Sequence, residues 1–304
     1  MTSRAHSTET TPVSIRLPKE DLDVLARAVR QVRADDRDLS SAQPSDFQDL
    51  SRCPCVGLIR AALAREGVVK VSGFPVDDER VELGFWGYCT GLGDPLPQNR
   101  NLSRVDVVAN VDPRSVRGAK TNRALAFHTD MANTTPDVFA LLTVRQATAG
   151  GASKLARIAD LTDALMSQPE VYVTLRQPFM FDRSGDVSDG VEPVFESPIV
   201  SVRQGVPSVV YNRARIHRGH RLVGQPLTAA QQAALDALDE LLATSDAVHR
   251  FTLQSGDVLF VDNRAVLHAR EEFEDTAPQG RHLLRVWLQA RNELREGRRE
   301  VASR

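Results

Sequence analysis

The sequence predicts an α+β fold: helices in front, a jelly roll of short antiparallel strands behind, and one helical insertion. Three observations carry this. Helical spacing of apolar residues dominates up to about residue 92, short β-type runs between turn residues take over from about residue 105, and a single strong helix pattern interrupts those runs near 228–246. A chain of 304 residues with 41% hydrophobic content can bury a full core and suits one large domain better than several small ones. The expected organisation is a disordered N-terminus over 1–12 and a single domain over 13–304, with the jelly-roll core at about 68–290.

The elements follow in order. Leu22, Leu25, Val29 and Val32 recur at helical spacing behind the charged turn Lys19-Glu20-Asp21, which predicts an amphipathic packing helix. The stretch 33–50 is polar with little periodicity and is expected to be a loop, a candidate lid. A second helix is expected over roughly 56–66, stopping at Gly67, then a short strand at Val68–Val71 and a third helix over 81–92. Beyond residue 105 the runs VDVVANV, VFALLTV, PIVSV, PSVVY, HRFTLQ, VLFVDN and LLRVWLQ are strand candidates, as in a sandwich or barrel. The helical insertion opens on Thr228-Ala-Ala-Gln231, a capping-box pattern, and carries Leu235, Leu238, Leu241 and Leu242 on one stripe.

Composition narrows the functional classes. The formal charge of -2 comes from 38 basic and 40 acidic residues spread through the chain, so no polyelectrolyte field invites nucleic acid or an anionic membrane. The expected partner is a small molecule, with a homo-oligomer left open. Three cysteines, Cys53, Cys55 and Cys89, are read as reduced thiols, because Cys-Pro-Cys is too cramped for a zinc knuckle. The first dozen residues are polar, and no stretch of about 18 apolar residues occurs, so a cytoplasmic location is expected.

The chemistry-bearing residues begin with Ala126-Phe127-His128-Thr129-Asp130. In extended backbone, residues two apart share a face, so His128 and Asp130 can reach one metal. By itself such a pair is common by chance and needs a third ligand. His268 supplies a candidate, at the end of Val258-Leu-Phe-Val-Asp-Asn-Arg-Ala-Val-Leu-His268. Two histidines and a carboxylate with open positions form the facial triad of non-haem Fe(II) oxygenases. In Arg281-His282-Leu283-Leu284-Arg285-Val286-Trp287-Leu288, strand parity puts Arg281, Leu283 and Arg285 on one face. Two guanidiniums there are expensive to bury unless an anion meets them, and the arginine fork matches a carboxylate.

This ordered set, His128-x-Asp130, the distal His268 and the RHLLR segment beginning at Arg281, resembles the TauD/TfdA family of 2-oxoglutarate-dependent dioxygenases, with clavaminate-synthase-like hydroxylases as relatives. The similarity runs from about Gly67 to Gln289. It implies a cupin-like double-stranded β-helix core, with Fe(II) held by His128, Asp130 and His268. It also implies that Arg281 pairs with the C5 carboxylate of 2-oxoglutarate, that Arg285 approaches the C1 carboxylate, and that Ser153, after Gly150-Gly151, takes the place of a hydroxyl donor that is most often threonine. The implied reaction uses O2 to oxidise a substrate C–H bond while 2-oxoglutarate becomes succinate and CO2. With Asp130 present the resemblance points to hydroxylation first, then desaturation or ring formation, rather than halogenation.

Two segments are candidate substrate walls. The cation-rich stretch 211–221 offers Asn212, Arg213 and Arg215, and the turn after Gly93-Asp94-Pro95 offers Gln98, Asn99 and Asn101. Each reads equally as solvated surface. The expected substrate is a small anionic or zwitterionic metabolite, such as an amino acid or a natural-product intermediate. A zinc-dependent hydrolase or lyase using the same triad, and a non-catalytic jelly-roll binding protein, are the alternatives left open.

Overall fold

The computed structural model describes residues 12–77, 79–99, 101–112, 118–131, 135–184, 187, 190–203, 205–275, 280–292 and 296. Of the N-terminal stretch 1–12, all but Pro12 lies outside the described residues. The first third comprises β1 (Ser14–Arg16), α1 (Lys19–Ala34), a 3-10 stretch (Pro44–Arg52), α2 (Pro54–Glu66), β2 (Val68–Ser72), α3 (Val81–Thr90) and β3 (Gly93–Leu96). Then come β4 (Asp106–Ala109), β5 (Leu125–His128), β6 (Val138–Arg145), β7 (Ala149–Gly150), β8 (Ser153–Arg157), α4 (Ile158–Met166), α5 (Pro169–Leu175), β9 (Pro178–Asp182), β10 (Val194–Pro198), β11 (Val200–Arg203) and β12 (Val206–Val209). The last third holds α6 (Arg213–Leu222), α7 (Ala229–Thr244), β13 (His249–Phe251), β14 (Val258–Asp262), β15 (Val266–Arg270), β16 (Phe273–Glu274) and β17 (His282–Ala290).

Two sheets face each other. The larger has seven strands in the order β1-β2-β14-β6-β17-β3, with β4 also paired to β17, and the smaller runs β13-β8-β15-β5. Strand parity divides the large sheet into two burial faces. Leu284, Val286 and Leu288 of β17, with Val258 and Phe260 of β14, pack under α1–α3, while Leu283 and Trp287, with Leu259 and Val261, face the small sheet. A separate core gathers α4, α5 and α7 against the outer face of the small sheet through Ala156, Ile158, Leu161, Leu235, Leu238 and Leu267. The order of layers is therefore helices, large sheet, small sheet, helices.

Local chemistry explains the elements. Thr228 and Gln231 close both bonds of the capping box that starts α7, and Leu235, Leu238 and Leu242 are buried on its inner stripe. α1 buries Leu25, Val29 and Val32. Gly67 ends α2 in the left-handed conformation.

Two expectations need correction. The stretch 33–50 is not a loop over the site: α1 runs to Ala34, and Gln43 and Asp46 close a capping box that opens the 3-10 stretch. Phe47 and Leu50 there are buried in the helical core, Phe47 edge-on to Trp86 at 5.9 Å, and none of the stretch lines the cavity described below. Its polar composition hid two anchors one helical turn apart. The second half also holds α4, α5 and α6 beside α7 rather than one insertion. α4 was missed because its apolar set is short, Ile158, Leu161 and Leu165, and α6 because its cations masked the buried Ile216 and His220. Among the described residues no helix is long and apolar enough to cross a membrane.

Candidate active site

The site forms where the two sheets face each other. β5 and β15 are antiparallel neighbours, and their register sets His128 directly opposite His268. The imidazole centroids are 4.2 Å apart, and Phe139 of the large sheet lies 4.5 Å from the His268 ring. Asp130 follows β5, with Oδ1 3.9 Å from His128 Nε2 and 3.8 Å from His268 Nε2. One ligand atom from each of the three lies within 4.8 Å of the other two.

The protonation states suit a cation. His128 Nδ1 faces the Ala126 carbonyl oxygen at 2.8 Å, so that nitrogen holds the proton and Nε2 is left as the ligand. Burial lowers the His128 pKa, and burial together with the facing His128 brings His268 down to about 3. Burial raises the Asp130 pKa, but the Arg285 guanidinium and the two histidines outweigh it and bring the carboxyl down to about 2. Two neutral imidazoles and a carboxylate are the proton-free donor set that a divalent metal needs.

Asp130 is held at both its backbone and its side chain. Asn263 accepts from the Asp130 N–H at 2.7 Å and donates to its carbonyl at 2.9 Å. Trp287 Nε1 donates to Asp130 Oδ2 at 2.8 Å, and Arg285 Nη1 donates to both carboxylate oxygens at 3.1 and 3.2 Å. Arg285 continues to Asp106, itself paired with Lys120, and to Gln98 Oε1. Arg285 thus spends its fork on the metal-ligand carboxylate and its neighbours, where the resemblance had placed it on the C1 carboxylate of the oxo acid.

Arg281 immediately precedes β17 and lines the same cavity as Arg285, four residues and so about 13 Å away along extended chain. It is 2% exposed, its Nε donates to Gln146, and its Nη1 has no hydrogen-bond partner. Burial, with Arg270 nearby, lowers its pKa to about 9. A buried guanidinium with an open edge fits a carboxylate ligand. The turn before Ser153 packs beside Arg281, with Gly151 placed so that an added Cβ would stand 3.4 Å from Arg281 Nε. Gly150 and Gly151 both have positive φ, and a Cβ on Gly150 would stand 2.4 Å from the Glu272 carbonyl oxygen. Ser153 is buried on β8 and lines the same cavity.

That cavity, about 580 Å³, is lined by the three candidate ligands, by Ser153, Arg281 and Arg285, and by the start of α6. Asn212 pairs with His128 in an isolated bridge, and its side chain caps α6 by accepting from the Arg215 N–H. Arg215 lines the cavity near enough to His128 to oppose its protonation, and donates to the Asp182 carbonyl. Arg213 lines the cavity, with its guanidinium bonded to Asp236 and Asp239 on α7. Gln98 lines the cavity and is fully buried, bonded to Arg285. Asn99 and Asn101 do not line it: the Asn99 side chain accepts from the Asn101 and Ser103 N–H groups and builds the turn.

Sequence reasoning missed Asn263, Trp287, Arg270, Asp182 and Ser184. Parity was signal enough for two of them, since Trp287 is two residues beyond Arg285 and Arg270 two beyond His268. Asp182 and Ser184 arrive through β9 and carried no local mark.

Comparison with known proteins agrees with this geometry. Residues 29–287 match the family model described as taurine catabolism dioxygenase TauD, TfdA family, which extends the resemblance toward the N-terminus. The chain is 27% identical over 235 residues to FR-33289 synthase of Streptomyces rubellomurinus (strain ATCC 31215), covering 74% of this chain and 68% of that one. It is 30% identical over 173 residues to the taurine hydroxylase-like protein SAT17 of Stachybotrys chartarum (strain CBS 109288 / IBT 7711), covering 53% of this chain and 41% of that one. Among solved structures, asparagine oxygenase with Fe(II), 2S,3S-3-hydroxyasparagine and succinate superposes with a TM-score of 0.71 at 18% identity, over 91% of this chain and 93% of that one. The non-heme iron oxygenase OrfP with Fe and alpha-ketoglutaric acid gives 0.67 at 17% identity, over 91% and 94%. The family match sets aside the hydrolase and binding-protein alternatives: the chain belongs to the TauD/TfdA family and is a 2-oxoglutarate-dependent dioxygenase that uses Fe(II).

Proposed function

We propose that this enzyme hydroxylates an unactivated C–H bond of a small anionic or zwitterionic metabolite, an amino acid or a natural-product intermediate built from one. The observation that carries the reading is the cavity itself, which joins a proton-free His-Asp-His set to a buried, half-open Arg281 and to the cationic start of α6. On this reading the two sheets are the halves of a double-stranded β-helix forming one catalytic domain, in a cytoplasmic setting that suits three free, buried cysteines.

His128, Asp130 and His268 hold the iron, Arg281 and Ser153 take the distal carboxylate of 2-oxoglutarate, and Arg285 orients Asp130 from beside the oxo-acid head. When bound, iron supplies the activation of O2 that couples decarboxylation of 2-oxoglutarate to substrate oxidation. The chain's own part is to fix the ligands, exclude water with Phe139, Leu141, Leu155 and Leu259, and orient the substrate. Arg215 and Asn212 stand beside His128, so the substrate's anionic group is read there. Arg218 lines the same wall. Burial opposes ionisation of Asp182, but hydrogen bonds from Ser184 and Arg218 keep its carboxyl below the ordinary range. With two arginines against one aspartate this wall is net cationic. An amino-acid substrate is supported by two structural neighbours, one an asparagine oxygenase and one an oxygenase solved with L-Arg.

The test has two arms. Adding Fe(II) and then 2-oxoglutarate without oxygen should produce the weak visible charge-transfer band of the chelated oxo acid, and Arg281→Ala should weaken it. With oxygen, a panel of amino acids and derivatives is screened for succinate formation coupled to a product one oxygen atom heavier. In the Arg215→Ala variant, KM for the accepted substrate should rise about tenfold or more while 2-oxoglutarate binding is unchanged. A substrate that carries no anionic group, or one indifferent to Arg215, would refute the substrate reading.

A further inference from the structure

β5 carries His128 at its end, with Asp130 just beyond, yet it is the last strand of the small sheet, in the order β13-β8-β15-β5. An edge strand is laddered on one side only and opens more readily than its neighbours. Two of the three metal ligands therefore need support from the outer edge. That edge is met by residues 211–212, between β12 and α6. The Thr129 N–H donates to the Tyr211 carbonyl oxygen at 2.7 Å, the Tyr211 N–H donates to Thr129 Oγ1 at 3.1 Å, and Asn212 pairs with His128. His128 thus stands between His268 on one side and Asn212 on the other.

The supporting segment is itself pinned from α7. Tyr211 is fully buried, and its hydroxyl donates to Asp239 Oδ1 at 2.5 Å. Oδ2 of the same carboxylate accepts from Arg213 Nη1 at 2.7 Å, so one side chain holds both residues that flank Asn212. Arg213 Nη2 goes on to Asp236. α7 is a firm base, because Leu235, Leu238 and Leu242 are buried along its inner stripe and the capping box closes its first turn. A chain of bonds therefore runs from Asp239 through Tyr211 to Thr129, the residue between the two ligands.

We propose that Tyr211, braced by Asp239, is a positioning residue for the metal centre: it backs the edge strand that presents His128 and Asp130. This rests on the metal reading of the His128-Asp130-His268 set. A metal binds tightly when its ligands are held within about 0.5 Å of the bound geometry before it arrives. Asp130 has Asn263, Trp287 and Arg285 to hold it as well, whereas the His128 ring is bonded to the Ala126 carbonyl of its own strand, so its position follows the strand. Loss of the Tyr211 hydroxyl bond loosens the outer edge of β5 and falls chiefly on His128. The same segment leads into α6, so the brace joins the metal strand and the wall that carries Arg215 into one unit.

The experiment titrates Fe(II) into the metal-free protein without oxygen, and Co(II) in parallel, whose visible bands report ligand geometry. Urea unfolding of the metal-free protein is measured alongside. Tyr211→Phe, which keeps the ring and removes the hydroxyl, should raise the Fe(II) dissociation constant about three- to tenfold and shift the Co(II) bands. Asp239→Ala should do the same, and the double variant should lose no more than the larger single loss, because both act through one hydroxyl bond. Asp236→Ala, which removes the other partner of Arg213, should leave metal affinity within about twofold of wild type. Unchanged affinity and bands in Tyr211→Phe would overturn the proposal and leave the contact as a brace of the fold alone, whatever the urea stability. Losses that add in the double variant would overturn it too. If Tyr211→Phe does not fold, Asp239→Ala decides on the same readouts. Wild-type metal affinity that is indifferent to His268→Gln would sink the metal reading instead, a distinguishable outcome.

Discussion

Asp130 offers two oxygens, and its surroundings treat them differently. Oδ1 faces both histidine Nε2 atoms, while Oδ2 takes the Trp287 indole N–H, and Arg285 reaches both. The indole and guanidinium therefore orient the carboxylate so that one oxygen is presented to the metal. Trp287→Phe keeps an aromatic ring and removes only the N–H. Fe(II) affinity, titrated anaerobically, should fall about ten- to a hundredfold. Unchanged affinity would show that Arg285 and Asn263 suffice.

At the scale of elements, the placement of α6 decides what the substrate meets. α6 lies directly on β9, with Gly219 so close that an added Cβ would stand 2.3 Å from the Met180 carbonyl oxygen. The same close approach brings Arg218 to Asp182 at 2.7 Å and Arg215 to the Asp182 carbonyl at 3.0 Å. Gly219→Ala must push the helix off the strand. We expect a loss of about 1–3 kcal/mol in denaturant unfolding and a raised KM for the organic substrate, with the 2-oxoglutarate dissociation constant unchanged because Arg281, just before β17, is on neither α6 nor β9. A variant with wild-type substrate KM would separate α6 from substrate recognition.

At the scale of the whole molecule, the site makes the metal-free fold sensitive to acid. His268 has a folded pKa of about 3 against an ordinary value of 6.5, and His128 is lowered in the same direction by burial. Between those values the unfolded chain binds protons that the folded chain does not, so stability is full above about pH 6.5 and falls as pH drops toward 3. Asp130, lowered to about 2, adds loss only below its ordinary 3.8. Calorimetry of the metal-free protein should show His268 lowering stability by about 1 kcal/mol per pH unit below about pH 6.5, with His128 adding in the same direction. His268→Gln should flatten the slope. A slope unaltered by that substitution would mean that the site histidines do not govern acid unfolding.

The sequence by itself determined what depends on spacing along the chain. His128 and Asp130 are two apart, Arg281 and Arg285 share a parity, Thr228 and Gln231 sit at capping-box distance, and Leu25, Val29 and Val32 repeat at helical period, so each was legible before any contact was known. Trp287 and Arg270 obeyed the same parity and were legible in principle. Tertiary structure alone decided the rest, because those features depend on which segments meet. Register between β5 and β15 set His128 against His268. The packing of α6 joined the Arg213 guanidinium to α7 and set Arg215 at the cavity. The fold of 33–50 against Trp86 made an apparent loop part of the core. Spacing repeats along one element because backbone geometry is local, whereas a side chain's partner across 80 or 130 residues, as for Thr129 with Tyr211 or Asp130 with Asn263, exists only once the sheets have closed around the site.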